Sequence, residues 1–472
     1  MKRENKNFIY NVIYQLFSFI IPLITAPYIA RTLGANNIGI YSYTYSIVNY
    51  FMLATMLGIN NYGSTSIAKV SSDKELASKK FFSIYYLQLM VGILMLVTYN
   101  LLNIFVIKQY NTILFIDNIF LISAIIDINW FYFGIEKFKV TITRNIIIKL
   151  FSLILIFLFV KGNNGLIYYV IIMNLANLLS QLYLWLHLRK EVIIVKVTFK
   201  EIFSNLKRCL VLFIPVIAYS IYRVMDKTML GYFSGTLELG YYENAEKIIS
   251  IPISIVTALG TVMLPNISKT INDKEKFMKK VYSSFELCFF LVIPMFFGLI
   301  AIGKDFSIIF YGDSFEKTGY IVRLLAPTFV FSAIANVIRT NYLIPLAKDK
   351  TYVTSTILGA IINFIFNIIL IPKFGSYGAC VGTILAEFVV MIYQIFSVRN
   401  DIDFKMVFKL LLKYMLTGII MLIVIMVVAE FINSMILRLL AQVFIGAIVY
   451  FIFNYNYITY DFLGKNKKSL TK

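Results

Sequence analysis

The chain has 472 residues, 60% of them apolar, 16% aromatic and only 14% charged, with a mean hydropathy of +0.80. Soluble globular chains run nearer 45–50% apolar and about 25% charged, which excludes that class. The 44 Lys and Arg against 24 Asp and Glu give a formal charge of +20, and its placing between long apolar runs points to membrane topology and excludes nucleic acid as its cause.

A membrane helix needs roughly 20 apolar residues. In chain order the candidate spans are 8–29, 38–59, 81–100, 113–133, 142–160, 165–187, 209–231, 247–264, 283–303, 321–344, 352–372, 377–397, 408–429 and 434–455. Thirty-two of the 44 Lys and Arg fall at the N-terminus, in the even-numbered gaps and at the C-terminus, counting Arg144 and Lys149 with the inner edge of span 5. Eight fall in the odd gaps. This asymmetry predicts cytoplasmic termini, and an even span count requires the same. Lys2, Arg3 and Lys6 precede the first run, which is long and lacks a small-residue cleavage site, so it reads as a retained span. Cys209, Cys288 and Cys380 all fall in spans, and a single histidine, His187, is too few ligands for a metal site. The outer gaps are too short to build a domain.

The chain repeats itself. LGANNIGIYSYTYSI at 33–47 echoes LGYFSGTLELGYYENAEKI at 230–248. Leu57-Gly58 followed by Ile67-Ala68-Lys69 echoes Leu259-Gly260 followed by Ile267-Ser268-Lys269. GNNG at 162–165 with Gln181 echoes GSYG at 375–378 with Gln394, and the offset between echoes climbs from 197 to 213 residues. The expectation is an all-α polytopic membrane protein with about 14 transmembrane helices: two six-helix lobes related by a pseudo-twofold repeat, plus two C-terminal helices. The limits are 1–188 for the N-terminal lobe, 189–208 for a basic cytoplasmic linker, 209–400 for the C-terminal lobe, and 401–472 for spans 13–14 and a basic tail. Transporters are commonly built this way, with the substrate site where repeats meet.

Ionisable groups inside spans are costly and turn to a cavity or a partner. In span 7, Tyr219, Tyr222, Arg223 and Asp226 share one helical face, with Lys227 following. Arg223 and Asp226 either satisfy each other or wall a polar cavity, and the cavity is the preferred reading. Arg339 in span 10, Glu387 in span 12 and Asp127 in span 4 have no opposite charge on their own helix, so each needs a partner elsewhere, a proton or water. Burial favours a neutral carboxyl, which suits a proton relay. Arg144 and Lys149 either hold an anionic head group or anchor the inner edge of span 5. Arg31, at an outer span end, reads first as a cap of the span 1–2 turn. Prolines such as Pro22, Pro27, Pro215 and Pro327 free backbone carbonyls and permit bending. Gly378, Gly382 and Ala386 form a small-residue packing face, and Asn363 with Asn367 reads as helix glue. No GxxxxGK[ST] loop and no GxSxG elbow is present, so the chain is read as a transporter and not an enzyme.

APYIARTLGANNIGIYSYTYSIVNY at 26–50 resembles the opening of bacterial polysaccharide-unit flippases, the Wzx type. DINWFYFGIEKFKVTITRNIIIKL at 127–150 resembles their span 4–5 segment, and DKTMLGYFSGTLELGYYENAEKI at 226–248 their span 7–8 turn. These flippases belong to the superfamily that also holds the MATE drug exporters and the lipid II flippase. The resemblance implies flipping of an undecaprenyl-diphosphate-linked oligosaccharide to the outer leaflet of a bacterial cytoplasmic membrane, for capsule, O-antigen or exopolysaccharide assembly. It implies a cationic cavity drawn from Arg31, Arg144, Lys149, Arg223, Lys227 and Arg339. Asp127, Asp226 and Glu387 would serve ion coupling or charge pairing, with H+ or Na+ as the coupled ion and no other cofactor. Partners would be the lipid-linked substrate, membrane lipids, and polymerase and chain-length proteins of the same pathway, with no nucleic acid. A cation-coupled drug exporter is the runner-up, disfavoured by the buried arginines. A membrane polymerase is disfavoured by the short outer gaps.

Overall fold

The computed structural model describes residues 3–162 and 164–455; side chains are described from Ile21 onward, apart from 214–216, 218–219 and 221–223. Among the described residues every regular element is a helix. By its contacts the chain divides into two compact units, Met1–Gly240 and Tyr241–Lys472. This contact boundary falls one helix beyond the linker at 189–208, where the sequence repeat turns over.

In the first unit, α1 (Arg3–Met56) carries spans 1 and 2 in one run, bent at Gly34 with φ 74°. Only glycine adopts that conformation without a Cβ penalty. α2 (Ile59–Ala68) follows the left-handed pair Leu57 and Gly58. α3 (Lys74–Phe105) is span 3, capped by Asp73, whose carboxylate accepts from the Glu75 N–H at 2.9 Å and the Leu76 N–H at 3.1 Å. Span 4 is three pieces: α4 (Asn111–Ile116), α5 (Asn118–Ile125) and α6 (Asn129–Gly134). α7 (Phe138–Phe159) and α8 (Gly165–Leu188) are spans 5 and 6. The linker contains one short helix, α9 (Phe199–Phe203), closed by a Thr198/Glu201 capping box. α10 (Leu206–Phe233) is span 7.

Aromatic stacking joins these pieces. Phe81 of α3, wholly buried, lies 5.5 Å from the Trp130 ring and 5.0 Å from Phe131. A Cβ on Gly63 would strike the Trp130 ring, and one on Gly134 would strike Ile67, so α2 and α6 pack at glycine distance. The first pair of echoing sequences turns out to be a packed pair. A Cβ on Gly39 would collide with the Thr236 carbonyl, and one on Gly240 with the Ala35 carbonyl; Thr236 also donates to Asn36 at 2.7 Å.

The second unit takes up α11 (Thr236–Ser268), which begins in the first, and continues with α12 (Lys274–Tyr311), capped by Asp273. After a 3₁₀ turn at Asp313–Phe315 comes α13 (Glu316–Ile338), which runs on into a π turn at Arg339–Leu343. α14 (Asp349–Phe374) and α15 (Ser376–Val398) meet closely: a Cβ on Gly378 would strike the Leu370 carbonyl, and Gly382 abuts the Asn367 side chain. The small-residue face therefore packs helix on helix, as expected of it. α16 (Phe404–Glu430) and α17 (Met435–Phe453) pack on α12 and on each other. Arg438 of α17 is fixed to Asp305 of α12 at 2.6 Å.

Eleven stretches among the described residues are long and apolar enough to cross a membrane. The two arms of α1 and the 28-residue α10 bring the spans to fourteen. The protein is an all-α polytopic membrane protein, and the spans lie where hydropathy placed them. The repeat is written in local geometry too. Glu136 (φ 56°) and Ala347 (φ 52°) are both left-handed. In the first turn the Glu136 and Lys137 amides donate to the carbonyls of Phe133 and Tyr132; in the second the Ala347 and Lys348 amides donate to those of Ile344 and Leu343. Both are Schellman turns.

Candidate functional site

The sequence predicts span 4 as one helix; the structure interrupts it at residues 126–128. A break strips carbonyls of their helical amide partners, and in hydrocarbon each orphan costs several kcal/mol. Side chains from other helices supply the missing donors. Gln88 of α3, wholly buried, donates its amide to the carbonyls of Ala124 at 2.8 Å, Ile125 at 3.2 Å and Asp127 at 2.9 Å. The Trp185 indole of α8 donates to the Ile126 carbonyl at 2.8 Å. The Trp130 indole donates to Gln88 Oε1 at 3.1 Å and is shared with the Asp127 carbonyl at 3.2 Å.

The restarted helix is headed by a carboxylate. Asp127 Oδ1 accepts from the Asn129 N–H at 2.8 Å and from Asn129 Nδ2 at 2.7 Å, and Asn129 Nδ2 stands 3.5 Å from Gln181 Oε1 of α8. Arg144 of α7 completes the cluster. It is 4% exposed. Its Nη2 and Nε donate to Asn145 Oδ1 at 2.6 and 3.1 Å, and Nη1 to the Ser180 carbonyl at 3.3 Å. Its charge acts on both Asp127 and Tyr132. Thus a predicted cavity cation and a predicted coupling acid, from different spans, belong to one buried polar cluster.

The other expected residues lie elsewhere. Lys149 is half-buried on α7, and Arg31 is exposed on α1 just before the Gly34 bend. Asp226 of α10 is 4% exposed and acts on Tyr50 of α1. Its neighbour Thr228 donates to Ser46 at 2.9 Å and to Tyr50 at 3.3 Å, tying α10 to α1. Lys227 is half-buried. The side chains of Arg223, Tyr219, Tyr222 and Pro215 lie outside the described residues.

In the second unit Arg339 opens the π turn. Its Nη1 donates to the Tyr352 hydroxyl at 3.3 Å, the guanidinium stands 5.1 Å from that ring, and its buried Nε has no hydrogen-bond partner. Glu387 of α15 accepts from the Ser332 hydroxyl of α13 at 2.5 Å. Arg339 and Glu387 therefore do not meet each other. Asn363 and Asn367 are wholly buried, with Asn367 donating to Asn363 at 3.1 Å. Gln88, Asn129, Trp130 and Trp185 escaped the sequence reading. The one local signal for them was Asp-x-Asn inside an apolar run, the pattern of a side chain capping a restarted helix.

Residues 5–271 match the model of the family described as "Polysaccharide biosynthesis protein". The chain belongs to that family. It is 22% identical to a putative O-antigen transporter of Shigella dysenteriae over 386 residues, 81% of this chain and 96% of that protein. It is 23% identical to a putative O-antigen transporter of Escherichia coli (strain K12), over 84% of this chain and 97% of that one. Its fold is similar to that of a solved structure described as the lipid II flippase MurJ, inward closed conformation, with a TM-score of 0.81 at 21% identity, covering 97% of this chain and 100% of that chain.

Proposed function

We propose that this member of the family flips an undecaprenyl-diphosphate-linked oligosaccharide from the cytoplasmic to the outer leaflet, with both termini cytoplasmic. Two near-full-length relatives are putative O-antigen transporters, and the observation that carries the reading to this chain is Arg144. A guanidinium only 4% exposed within a membrane helix is expensive unless it serves an anion or a fixed partner. Here an amide oxygen and a carbonyl accept from its donors and hold the guanidinium in place. Asp127 is its electrostatic neighbour. A diphosphate entering the cluster would meet the Arg144 fork in a bidentate geometry, and protonation of Asp127 would adjust how strongly that site holds an anion. Glu387, on its serine hydroxyl, is a second candidate for the coupled proton.

Alternating access then needs only that the head group be held by cations while the lipid chain stays in the bilayer. The decisive experiment measures the sidedness of the lipid-linked oligosaccharide in cells lacking this protein. Complete units trapped on the cytoplasmic leaflet, with surface polymer lost, are expected. Complete units on the outer leaflet would transfer the role to polymerisation. Unchanged surface glycan with altered drug sensitivity would favour a drug exporter.

A further inference from the structure

Between α7 and α8 the first unit carries an apolar groove of about 1270 Å³. Ile147 and Phe151 form one wall, Leu182 and Leu186 the other, and the 6–7 linker closes one end with Arg189 and Ile194. Arg189 is the one charged residue lining it. The walls face outward, with Leu186 72% and Phe151 50% exposed, as suits helices in lipid.

The linker itself has an unusual balance. Arg189, Lys190, Lys196, Lys200, Lys207 and Arg208 are all exposed, and none makes a salt bridge among the described residues. Its two acids are already committed elsewhere: Glu191 to Lys137 and Glu201 to Lys79. Six cations are thus left without local compensation. Between them Ile194 is 96% exposed and Phe199 72%. Exposed aromatic and aliphatic residues interleaved with cations, directly after a membrane helix, are the composition of a segment lying in an anionic lipid interface.

We infer that the 189–208 linker and the groove beside it form a binding site for an anionic phospholipid, whose chains occupy the groove and whose phosphate rests on Arg189 and the linker cations. The groove decides the class of partner. A nucleic acid or an acidic protein would use the cations and leave the apolar walls bare, whereas a phospholipid uses both. A zwitterionic lipid would bring its own ammonium among six cations, so an anionic head is favoured. The inference is independent of what the protein transports, because its test reads lipid retention.

The full chain in non-ionic detergent is given equimolar phosphatidylglycerol and phosphatidylcholine, and retained lipid is read by native mass spectrometry. Wild type is expected to retain phosphatidylglycerol by about tenfold over phosphatidylcholine. Lys196→Gln/Lys200→Gln/Lys207→Gln, all at exposed positions that cannot unfold the core, is expected to bring that ratio near unity. Leu182→Trp, which fills the groove, is expected to lower retention of both lipids. Equal retention by wild type, or an unchanged preference in the triple variant, overturns the site. Displacement of phosphatidylglycerol by a smaller amount of undecaprenyl phosphate overturns the phospholipid assignment and gives the groove to a polyprenyl chain.

Discussion

Span 4 and span 10 occupy the same place in the repeat and depart from the α-helix in opposite ways. Both end in the same Schellman turn, at Glu136 and at Ala347. Shortly before that turn, span 4 breaks outright at 126–128, whereas span 10 only widens into the π turn at Arg339–Leu343. The π turn keeps its backbone bonding, with the Ile344 amide reaching the Arg339 carbonyl at 2.9 Å. The break does not, and it borrows its donors from Gln88, Trp130 and Trp185. The third helix of each repeat records the difference. Gln88 follows the Asp73 cap by the same interval as Cys288 follows the Asp273 cap. An amide stands where carbonyls are orphaned, and a small apolar thiol where none are. The charge differs in the same sense: the first repeat sets an acid within the field of a buried arginine, and the second has an arginine on a phenol. A repeated frame thus tolerates unlike polar sites as long as each helix interruption brings its own donors.

The comparison can be broken experimentally. The largest effect is expected for Arg144→Met, which removes the positive charge acting on Asp127. The variant also leaves Asn145 Oδ1 and the Ser180 carbonyl without their donor, and surface polymer in a complementation assay should fall at least about tenfold. Arg144→Lys should not restore it, because a lysine cannot reproduce donors to Asn145 and the Ser180 carbonyl together. Full function in the methionine variant would remove Arg144 from the mechanism.

Next comes Gln88→Leu, expected to destabilise the purified protein by about 2–3 kcal/mol through unsatisfied carbonyls. Cys288→Ala should cost about 1 kcal/mol, since it deletes one small apolar group. Equal shifts in thermal melting would mean that the break does not depend on its borrowed donors.

Smaller still is the effect of the shared turn. Glu136→Gly and Ala347→Gly each relieve a left-handed residue and are expected to raise stability by up to about 1 kcal/mol, alike in both repeats. A gain in one and a loss in the other would show that the turns are not equivalent.

The smallest effect concerns pH. Tyr342 and Lys348 hold the Asp401 carboxyl below its usual range. A depressed folded value means its contribution is complete above the ordinary aspartate value of about 3.9 and is lost as pH falls through the folded one. Amide protection in 399–405, taken relative to the intrinsic exchange rate at each pH, should therefore be unchanged from pH 7 to 5 and lower at pH 3. Glu201, held down to about 2 by Lys79 and Thr198, should keep its linker helix closed between pH 5 and 4 and release it only on further acidification.

The spans were legible because hydrocarbon demands a long apolar run, and the repeat because its caps and glycines sit at matched places. Asp127 and Arg144 stood out from charge alone, as ionisable groups within apolar runs. Their membership of one cluster was not legible, since it depends on the break, and residues 111–134 read as a continuous apolar stretch with mean hydropathy 1.7. The groups that make the break affordable, Gln88 and Trp185, come from helices far along the chain, so no local pattern announces them. The packing of Gly39 against Thr236 was hidden for a related reason: the two sequences looked like copies, and copies are not expected to touch.

The ion pair between Arg438 and Asp305 bears on biogenesis. Asp305, just past span 9, precedes its partner by 133 residues and is synthesised long before it. Until the last helix emerges, that acid has to be sheltered by lipid head groups or by the insertion machinery. The arginine is the one charge on an otherwise apolar helix, and the waiting carboxylate gives it a partner on arrival. A ribosome stalled before residue 435 would leave a membrane intermediate with an unmatched charge, a recognisable mark for quality control.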